Sequence, residues 1–267
     1  MKIICLKGGL GNQIFEYCRF RFLKETSDES ISIHYDSRRL KQHGGTLLDR
    51  CFDISLPKRS VTVDIAVVFL KMLRSVHVMP RLYDDSRDDC VLIDDYCQNR
   101  RFIASARKWL PFRELRLSEK SAQVLSIING EDYPVAVHVR RGDYLIEQNL
   151  DDFGLCTTDY YHSAINQILE KHLSARFFLF SDDMTWVKNN LHVENAVCVE
   201  REQGEPDYID LFLMTRCRGH IIANSTFSYW GAMLANDEGA TNIYPRRWFA
   251  NPTWTVPDIF PDDWIAL

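Results

Sequence analysis

The stretch Pro134-Val-Ala-Val-His-Val-Arg-Arg-Gly-Asp-Tyr144 joins a valine-rich apolar run to a charged loop. A continuous run of this kind is typical of a strand buried on both faces of a parallel sheet. The pattern predicts a Rossmann-like, doubly wound α/β sheet in the second half of the chain. Further apolar runs alternate with helical patterns after it, at Arg176–Phe180, Ala196–Glu200, His220–Ala223 and Asn242–Tyr244.

The first half shows a weaker version of this alternation. Lys2–Leu6 has the composition of a strand and leads through a glycine-rich turn into a helix over about 14–25. Ile31–Tyr35 and Val91–Ile93 indicate further strands. The α/β class therefore extends over both halves of the chain.

The boundary between the halves is predicted at Asn129-Gly-Glu-Asp132, which interrupts a helical pattern before the second sheet begins. A length of 267 residues fits one large domain or two small ones. We expect two Rossmann-like halves, 1–130 and 131–267, that face a cleft. The last residues could pack back on the N-terminal half.

Composition places the chain among ordinary folded proteins, with 46% hydrophobic and 26% charged residues. The net charge of −5 argues against nucleic-acid or anionic-membrane binding as the main activity. The N-terminus has no signal-peptide core, and the apolar stretch Ile65–Val78 is too short to span a bilayer. We expect a cytoplasmic protein with reduced cysteines, because its eight cysteines form no CxxC pair. The acidic run 84–95 and the basic run 100–116 are interpreted as solvated faces.

Polar residues follow three of the strands predicted for the second half. The carboxyl ends of parallel strands meet at one sheet edge, where ligands bind. Two adjacent arginines at such an edge favour an anionic ligand, and guanidinium groups match the phosphate oxygens of a nucleoside diphosphate. The candidates are Arg140, Arg141 and Asp143 after the first strand, Ser181, Asp182 and Asp183 after the second, and Asn224, Ser225, Thr226 and Phe227 after the fourth.

The arginines also have a structural interpretation, because both could form ion pairs with neighbouring aspartates. Ser225 could likewise do no more than cap the helix that follows it. His138 shares a strand face with Arg140 and could contact a nucleotide or belong to the core. Asp210 could accept hydrogen bonds from a guanine edge or have a structural role. These alternatives stay open at the level of sequence.

Near the N-terminus, Gly8-Gly-Leu-Gly-Asn-Gln13 follows the first strand and opens a helix. Its spacing is neither that of a GxGxxG dinucleotide fingerprint nor that of a Walker motif. The backbone amides of Gly9 and Gly11 could still approach a diphosphate or a sugar. No Asp-x-Asp sequence occurs, so no metal site is expected.

Four ordered motifs span the chain: Gly8-Gly-Leu-Gly-Asn-Gln-Ile-Phe-Glu-Tyr17, His138-Val-Arg-Arg-Gly-Asp-Tyr144, Phe180-Ser-Asp-Asp183 and Ile222-Ala-Asn-Ser-Thr-Phe-Ser-Tyr-Trp-Gly-Ala232. Together they resemble the bacterial α-1,2-fucosyltransferases of glycosyltransferase family 11. The His-x-Arg-Arg-x-Asp element is also shared with α-1,6-fucosyltransferases and, more loosely, with protein O-fucosyltransferases.

The resemblance implies a GT-B-like fold, with an acceptor-side N-terminal domain and a GDP-sugar-binding C-terminal domain. It implies inverting transfer of L-fucose from GDP-β-L-fucose to the 2-hydroxyl of a galactoside, without metal or other cofactor. The acceptor implied is a galactose-containing oligosaccharide or lipid-linked glycan of an O-antigen or capsule; no nucleic-acid partner is implied. The enzyme would act in the cytoplasm or at the cytoplasmic face of the inner membrane, with peripheral membrane association allowed.

The same resemblance assigns roles to residues. Arg140 corresponds to the principal diphosphate contact, Arg141 supports it, and Asn12 faces the donor from the N-terminal domain. His138 and Asp210 occupy positions similar to guanine contacts. The phosphate-binding turn corresponds to Ser225, Thr226 and Phe227, and the remaining donor-site candidates are Gly9, Gly11, Ser181, Asp182, Asp183 and Asn224.

Two positions depart from the family pattern: Glu16 stands where glutamine is common, and Tyr229 where tryptophan is frequent. The general base is undetermined, with Asp143, Glu16 and Glu147 as candidates. A GT-B transferase that uses another GDP-sugar, such as GDP-mannose, and a non-catalytic nucleotide- or glycan-binding module remain as alternative functions.

Overall fold

The computed structural model describes residues 1–84, 89–235 and 239–267. Residues 85–88 of the acidic run lie outside the described residues. Contacts divide the chain into two compact units, Met1–Arg113 (unit 1) and Glu114–Leu267 (unit 2). This division precedes the boundary expected near residue 130, because the helix Glu119–Gly130 packs with Val124 and Ile128 into a core cluster of unit 2.

Unit 1 is built on a parallel sheet. Its elements are β1 (Lys2–Leu6), α1 (Leu10–Thr26), β2 (Ile31–Tyr35), α2 (Ser37–Lys41), α3 (Leu48–Cys51), α4 (Val61–Ser75), a 3-10 turn at Pro80–Leu82, β3 (Leu92–Ile93), α5 (Arg100–Ile103) and α6 (Ala106–Trp109). The strand order is β2-β1-β3. All five residues of β1 are buried, as its continuous apolar run predicts.

Unit 2 carries the longer sheet. Its elements are α7 (Glu119–Gly130), β4 (Pro134–Val139), a 3-10 turn at Gly142–Leu145, α8 (Glu147–Phe153), α9 (Thr158–Lys171), β5 (Arg176–Ser181), α10 (Met184–Asn190), β6 (Ala196–Cys198), α11 (Tyr208–Met214), β7 (Gly219–Ile221), α12 (Thr226–Met233), β8 (Asn242–Tyr244) and β9 (Ile265–Ala266). Among the described residues these strands form one parallel sheet in the order β6-β5-β4-β7-β8-β9.

This strand order is that of a doubly wound Rossmann-like sheet, as the sequence predicts. The chain starts at β4 in the middle, builds outward through β5 and β6, then returns to the other side with β7. One face packs on α9 through Tyr161, Ile165 and Ile168. The other face packs on α7 and α11.

The end of the chain and the segment after β4 both contain regular structure. At the end of the chain, β9 pairs with β8 and completes the edge of the unit 2 sheet. The segment 140–154 is not simply a polar loop, since it contains the 3-10 turn and α8, which ends at Gly154 in a left-handed conformation (φ 69°).

The apolar stretch Ile65–Val78 falls mostly within α4. No helix among the described residues has the length and apolar content needed to cross a membrane. The eight cysteines are present as thiols and most are buried, in agreement with the sequence interpretation.

Candidate functional site

The central feature of unit 2 is a divergence between β4 and β7. β4 stays paired with β5 as far as Val139↔Ser181, but its pairing with β7 ends at Val137↔Ile221. β7 instead continues toward β8, where the Ile222 amide donates to the Ile243 carbonyl (3.0 Å). The strand order reverses at this point, and parallel α/β sheets bind ligands in the crevice that such a reversal opens.

Tyrosines of α9 donate hydrogen bonds to carbonyls near the carboxyl ends of β4 and β7. The Tyr161 hydroxyl donates to the His138 carbonyl (3.2 Å), and the Tyr160 hydroxyl donates to the Ile222 carbonyl (2.7 Å). Burial raises the pKa of both phenols well above the ordinary value, so both remain protonated donors. The crevice is thus fixed from the α9 side.

Arg140 lies directly after β4 at the mouth of this crevice. Its Nη2 donates to Asp143 Oδ1 (2.6 Å), and its Nη1 pairs with Asp182 Oδ2 (2.9 Å). Its guanidinium carbon lies 5.5 Å from the ring centroid of Tyr144, whose hydroxyl donates to the Asn224 carbonyl (3.1 Å). About a third of the Arg140 side chain (30%) stays exposed. The loop after β4 therefore presents a held but accessible guanidinium next to the segment that follows β7.

Arg141 is held differently. Its Nε donates to Asp183 Oδ2 (3.1 Å), and its guanidinium carbon lies 4.1 Å from the ring centroid of Trp186. Its backbone amide donates to Asp182 Oδ1 (2.9 Å). These contacts fix the loop after β4 to the loop after β5.

Gly142 explains why the loop can sit so close to β5. A Cβ atom at this position would lie 2.5 Å from Asp182 Oδ2, the oxygen that pairs with Arg140. Any side chain here would displace the Asp182 carboxylate and with it the orientation of Arg140. Sequence reasoning did not single out this glycine; the glycine between the two arginines and Asp143 was the available signal.

Both arginines form ion pairs with neighbouring aspartates, as one of the two interpretations of the sequence expected. Asp143 and Asp182 pair with Arg140, and Asp183 pairs with Arg141. The two guanidinium groups meet three carboxylates, those of Asp143, Asp182 and Asp183. The site consequently holds oriented cations without a net positive charge of its own.

The helix α12 begins beside the same crevice. Ser225 is its N-cap, and its Oγ accepts from the Phe227 amide (3.3 Å). Thr226 and Phe227 are half-buried in the first turn. The first amides of a helix lack intrahelical partners and carry the positive end of the helix dipole, which favours an anion.

The side chain of Asn224 is occupied by hydrogen bonds within the protein. Its Nδ2 donates to the carbonyls of Phe153 (2.9 Å) and Trp248 (3.2 Å), and its Oδ1 accepts from Cys156 Sγ (3.6 Å). The side chain clips the end of α8 to the segment after β8.

His138 and Asp210 are buried and each has an unpartnered polar atom. His138 Nδ1 and Asp210 Oδ1 have no hydrogen-bond partner among the described residues. The His138 ring lies 5.9 Å from the Phe227 ring (centroid to centroid). His138 shares its strand face with Ala136, on which α11, the helix of Asp210, also packs. Unpartnered buried polar atoms are rare and point to a ligand.

The ionisation of this pair is strongly perturbed. Burial, assisted by the nearby Arg140 charge, lowers the pKa of His138 to about 3, so the ring is neutral. Burial raises the pKa of Asp210 to about 7, although Arg201 opposes the shift by donating from Nε to Asp210 Oδ2 (2.9 Å). Asp210 therefore changes charge near neutral pH.

The glycine-rich turn of unit 1 is shorter than the sequence suggests. α1 begins at Leu10, so Gly11 and Asn12 belong to its first turn, and Gly9 is the N-cap. Gly8 has a left-handed conformation (φ 73°), which accounts for glycine there. Asn12 is half-buried, and its Oδ1 accepts from Gln98 Nε2 (3.2 Å).

Gln13 organises the surroundings of this turn. Its Nε2 donates to the carbonyls of Gly8 (2.9 Å) and Gly45 (3.0 Å), and its Oε1 accepts from the Leu47 amide (3.0 Å). This side chain ties the turn after β1 to the loop after α2. Gln13 belongs to the glycine-rich motif, but its role cannot be predicted from that motif, because its partners Gly45 and Leu47 lie more than 30 residues along the chain.

The two departures from the family pattern are both buried. Glu16 is fully buried in α1, and its Oε2 accepts from the Lys7 amide (2.8 Å). The expectation that Glu16 could be the general base is therefore wrong, because the carboxyl group is closed off from solvent. Tyr229 is buried in α12 and donates to the Ile259 carbonyl (2.8 Å).

Glu147 is exposed at the start of α8, and Asp143 remains partly exposed. They are the general-base candidates that stay accessible. No group of three or more His, Cys, Asp or Glu side chains is arranged to hold a metal ion in the part of the chain that the structure describes.

A family model described as glycosyl transferase family 11 matches residues 1–267. An alpha-1,2-colitosyltransferase from Escherichia coli is 29% identical and aligns over 98% of this chain and 97% of its own. The O-antigen biosynthesis glycosyltransferase WbnK, also from Escherichia coli, is 28% identical over 98% of this chain and 99% of its own. Galactoside alpha-(1,2)-fucosyltransferase 1 from Ateles belzebuth is 31% identical over 94% of this chain and 67% of its own.

Among solved structures, the NodZ alpha-1,6-fucosyltransferase co-crystallised with GDP matches with a TM-score of 0.51 and 14% identity. The match covers 87% of this chain and 91% of that one. At this identity the likeness concerns the fold, and it confirms the GT-B-like α/β class predicted from the sequence.

The buried carboxyl group of Glu16 predicts a pH-dependent stability. Burial raises its pKa well above the ordinary value, so the folded protein binds this proton more tightly than the unfolded chain. Stability from this group is therefore lost as the pH rises above the unfolded-state pKa of about 4.3. Glu16→Gln keeps an acceptor for the Lys7 amide but cannot ionise. We expect its free energy of unfolding, relative to the wild type, to increase from about pH 5 to about pH 9 in urea denaturation.

Glu25→Gln on the same helix is the matched control. The Glu25 pKa is lowered, chiefly by a hydrogen bond from Trp109. The group is therefore ionised in both states over this range, and its difference from the wild type should stay constant. A constant difference for Glu16→Gln as well would contradict the assignment of Glu16 as a buried, largely protonated acid.

Proposed function

This chain belongs to glycosyltransferase family 11, and we propose that it transfers L-fucose from GDP-β-L-fucose to the 2-hydroxyl of a galactoside, forming an α-1,2 linkage with inversion. The observation that carries this proposal is the partly exposed Arg140 guanidinium at the β4/β7 divergence, beside the start of α12. Relatives named for α-1,2 transfer and for O-antigen biosynthesis support the linkage and the glycan class.

The diphosphate is assigned to the crevice between the loop after β4 and the first turn of α12. Two of the guanidinium nitrogens of Arg140 are engaged by Asp143 and Asp182, which fix its direction and leave further N–H donors for phosphate oxygens. The Thr226 amide and the hydroxyls of Ser225 and Thr226 supply donors from the other side, while the Ser225 amide donates to the Ala223 carbonyl (2.7 Å). Arg141, Asp182, Asp183, Ser181 and Asn224 hold these groups in position.

The guanine base is assigned to His138 and Asp210. An ionised Asp210 can accept hydrogen bonds from the N–H groups of the guanine Watson–Crick edge through its unpartnered Oδ1. The neutral His138 ring beside Phe227 can contact the nucleotide without adding charge. This assignment gives the unpartnered atoms of His138 and Asp210 a ligand.

The reaction is a single displacement. The acceptor 2-hydroxyl oxygen forms a bond to fucose C1 while the bond from C1 to the β-phosphate oxygen breaks, and its electron pair leaves with GDP. The hydroxyl proton passes to Asp143, Glu147 or water. Arg140 and the α12 amides stabilise the charge that develops on the β-phosphate.

We assign no metal or other cofactor to this reaction, since oriented cations and helix amides can neutralise the leaving group. The acceptor is a galactose-containing oligosaccharide or lipid-linked glycan, and assembly takes place in the cytoplasm or at the cytoplasmic face of the inner membrane. Asn12, Gly9 and Gly11 are assigned to the donor from unit 1.

A second candidate is transfer of another GDP-linked sugar by the same machinery. The 29% identity to an alpha-1,2-colitosyltransferase favours colitose, which is L-fucose without its 3-hydroxyl group. The phosphate and guanine contacts would be unchanged, and the two functions differ only in the sugar pocket.

The proposed function is tested by incubating the purified protein with GDP-fucose, GDP-colitose or GDP-mannose and a set of β-galactosides, with and without EDTA. We expect EDTA-insensitive transfer from GDP-fucose and an α-1,2-linked product by linkage analysis. Preferred turnover of GDP-colitose or GDP-mannose would establish the second candidate. GDP binding without turnover of any donor would identify a non-catalytic module.

Replacing Arg140 tests the diphosphate assignment. Arg140→Ala removes the principal donor to the leaving group, so we expect kcat to fall at least ~100-fold with an unchanged circular dichroism spectrum. Arg176→Ala is the control, because Arg176 is also ion-paired, with Glu131, but lies at the opposite end of the same sheet. It should keep kcat within about threefold, a change below 1 kcal/mol. An Arg140→Ala enzyme that retained most of its activity would overturn the role.

The pKa of Asp210 near 7 predicts pH-dependent GDP binding. Guanine needs the ionised carboxylate, so the Kd for GDP should rise as the pH falls below 7, approaching ~10-fold per pH unit. His138 stays neutral over this range and does not contribute. Isothermal titration calorimetry from about pH 6 to about pH 8 measures the effect.

Asp210→Asn should weaken GDP binding and flatten this pH profile. Asp159→Asn, at the exposed start of α9, serves as the control and should keep the wild-type profile, because Asp159 does not contribute to the raised pKa of Asp210. It also corrects for ionisation of the GDP phosphate itself. If Asp210→Asn kept the wild-type pH dependence, the guanine assignment would be wrong.

A further inference from the structure

The helix α4 of unit 1 has two apolar faces. One face is buried: Val63, Val67 and Leu70 pack with Ile3 and other core residues of the unit 1 sheet. The opposite face is exposed and equally apolar, with members Val61, Ile65, Val68, Phe69 and Met72. The surface continues past the helix through Val76, Val78 and Met79, which are also exposed.

The exposed residues form one continuous stripe. Val61, Ile65, Val68 and Met72 follow one another at intervals of four, three and four residues, which places them on a single helix face. With Phe69 the stripe is about 100° wide, the width that a surface helix usually buries against a core. We call this stripe, with Val76, Val78 and Met79, the α4 apolar face.

Packing within unit 1 does not account for the exposed apolar residues of α4, because the opposite face of the helix already contributes to the core. A surface helix of a globular protein carries polar residues on its outer side, whereas Val68 is 69% exposed. Contiguous exposed apolar patches mark interaction sites. The donor site derived above uses no residue of α4.

The charges around the α4 apolar face are cationic. Segment 58–81 contains five Lys and Arg residues and one Asp, in a chain whose net charge is −5. Lys58 before the helix and Arg81 after it are exposed and form no ion pair with another described residue. Lys71 and Arg74 are partly neutralised by Asp94. The uncompensated cations therefore lie at the two ends of the apolar stripe, before the acidic run that begins at Asp84.

These charges argue against a second copy of the chain as the occupant. In a two-fold contact the helices run either antiparallel, with Lys58 of one copy near Arg81 of the other, or parallel, with each of these cations near its own equivalent, so that like charges meet in both arrangements. Like charges at the rim of an apolar contact oppose association. An anionic surface could pair with Lys58 and Arg81 at the same time.

We propose that the α4 apolar face docks the protein on a lipid bilayer that contains anionic headgroups. The apolar side chains enter the boundary between headgroups and acyl chains, and Lys58 and Arg81 meet the headgroup phosphates. The helix has 15 residues, so it is about 22 Å long and shorter than the ~30 Å hydrocarbon core. It therefore lies in the plane of the interface and does not cross it.

The inference stands apart from the proposed function, because it rests on unit 1 surface residues alone. If both hold, docking would place the enzyme where lipid-linked acceptors are found. If the chain transferred a different sugar, the docking surface would be unaffected.

Vesicle flotation of the full-length protein tests the proposal. We expect the protein to float with vesicles that contain phosphatidylglycerol, to float less with pure phosphatidylcholine, and to be released by salt. The double variant Val68→Glu/Phe69→Glu should reduce the fraction bound at least ~10-fold, because it places two charges in the apolar boundary. Lys58→Glu/Arg81→Glu should remove the preference for phosphatidylglycerol.

Leu173→Glu is the matched control, since Leu173 is an apolar residue of unit 2 that is 91% exposed. It should bind vesicles as the wild type does. Thermal melting and transfer to a water-soluble acceptor should be unchanged in all variants, because the substituted side chains are exposed and lie outside the donor site. Failure of the wild type to float, or binding that Val68→Glu/Phe69→Glu does not change, would overturn the proposal. So would a dimer in light scattering that this double variant dissociates, which would identify a second copy as the occupant.

Discussion

The divergence of β4 from β7 after Val137 is the constraint on which unit 2 depends. β4 keeps β5 as a neighbour while β7 turns to β8, and the Tyr161 hydroxyl of α9 donates to the His138 carbonyl, beyond the last pairing of β4 with β7. Every candidate donor contact in unit 2 is placed relative to this opening. The loop after β4 and the first turn of α12 flank it, and His138 lies on the last part of β4, beyond its pairing with β7.

The arginines at this opening are held in fixed orientations by carboxylates and do not create an excess of positive charge. Two adjacent arginines suggest a positive site, yet three carboxylates hold them. Each aspartate fixes a guanidinium in one direction, and Gly142 permits the approach of the Asp182 carboxylate. Preorganised donors of this kind need little rearrangement when a charge develops on a leaving group. The same carboxylates would disfavour an anion that failed to engage Arg140.

The net charge of the chain does not describe the local charge at either of the two surfaces discussed above. Carboxylates outnumber guanidinium groups beside Arg140, where the sequence suggests a positive site. Cations outnumber carboxylates around α4, although the whole chain carries a charge of −5. The apolar residues of α4 also divide between two opposite faces, one in the core and one in solvent. Hydropathy along the chain cannot separate these faces, because both belong to one apolar run.

The sequence alone determined the fold class, the strands of the unit 2 sheet apart from β9, and the motifs that identify the family. Valine-rich strands, helical periodicity and motif spacing are local properties and can be read along the chain. The tertiary structure decided that Glu16 is closed off, that Asn224 is a structural clip, and that α7 belongs to unit 2. It also decided that Asp143 holds Arg140 and that His138 and Asp210 retain unpartnered atoms. Each of these outcomes depends on contacts between residues far apart in sequence, which local patterns do not encode.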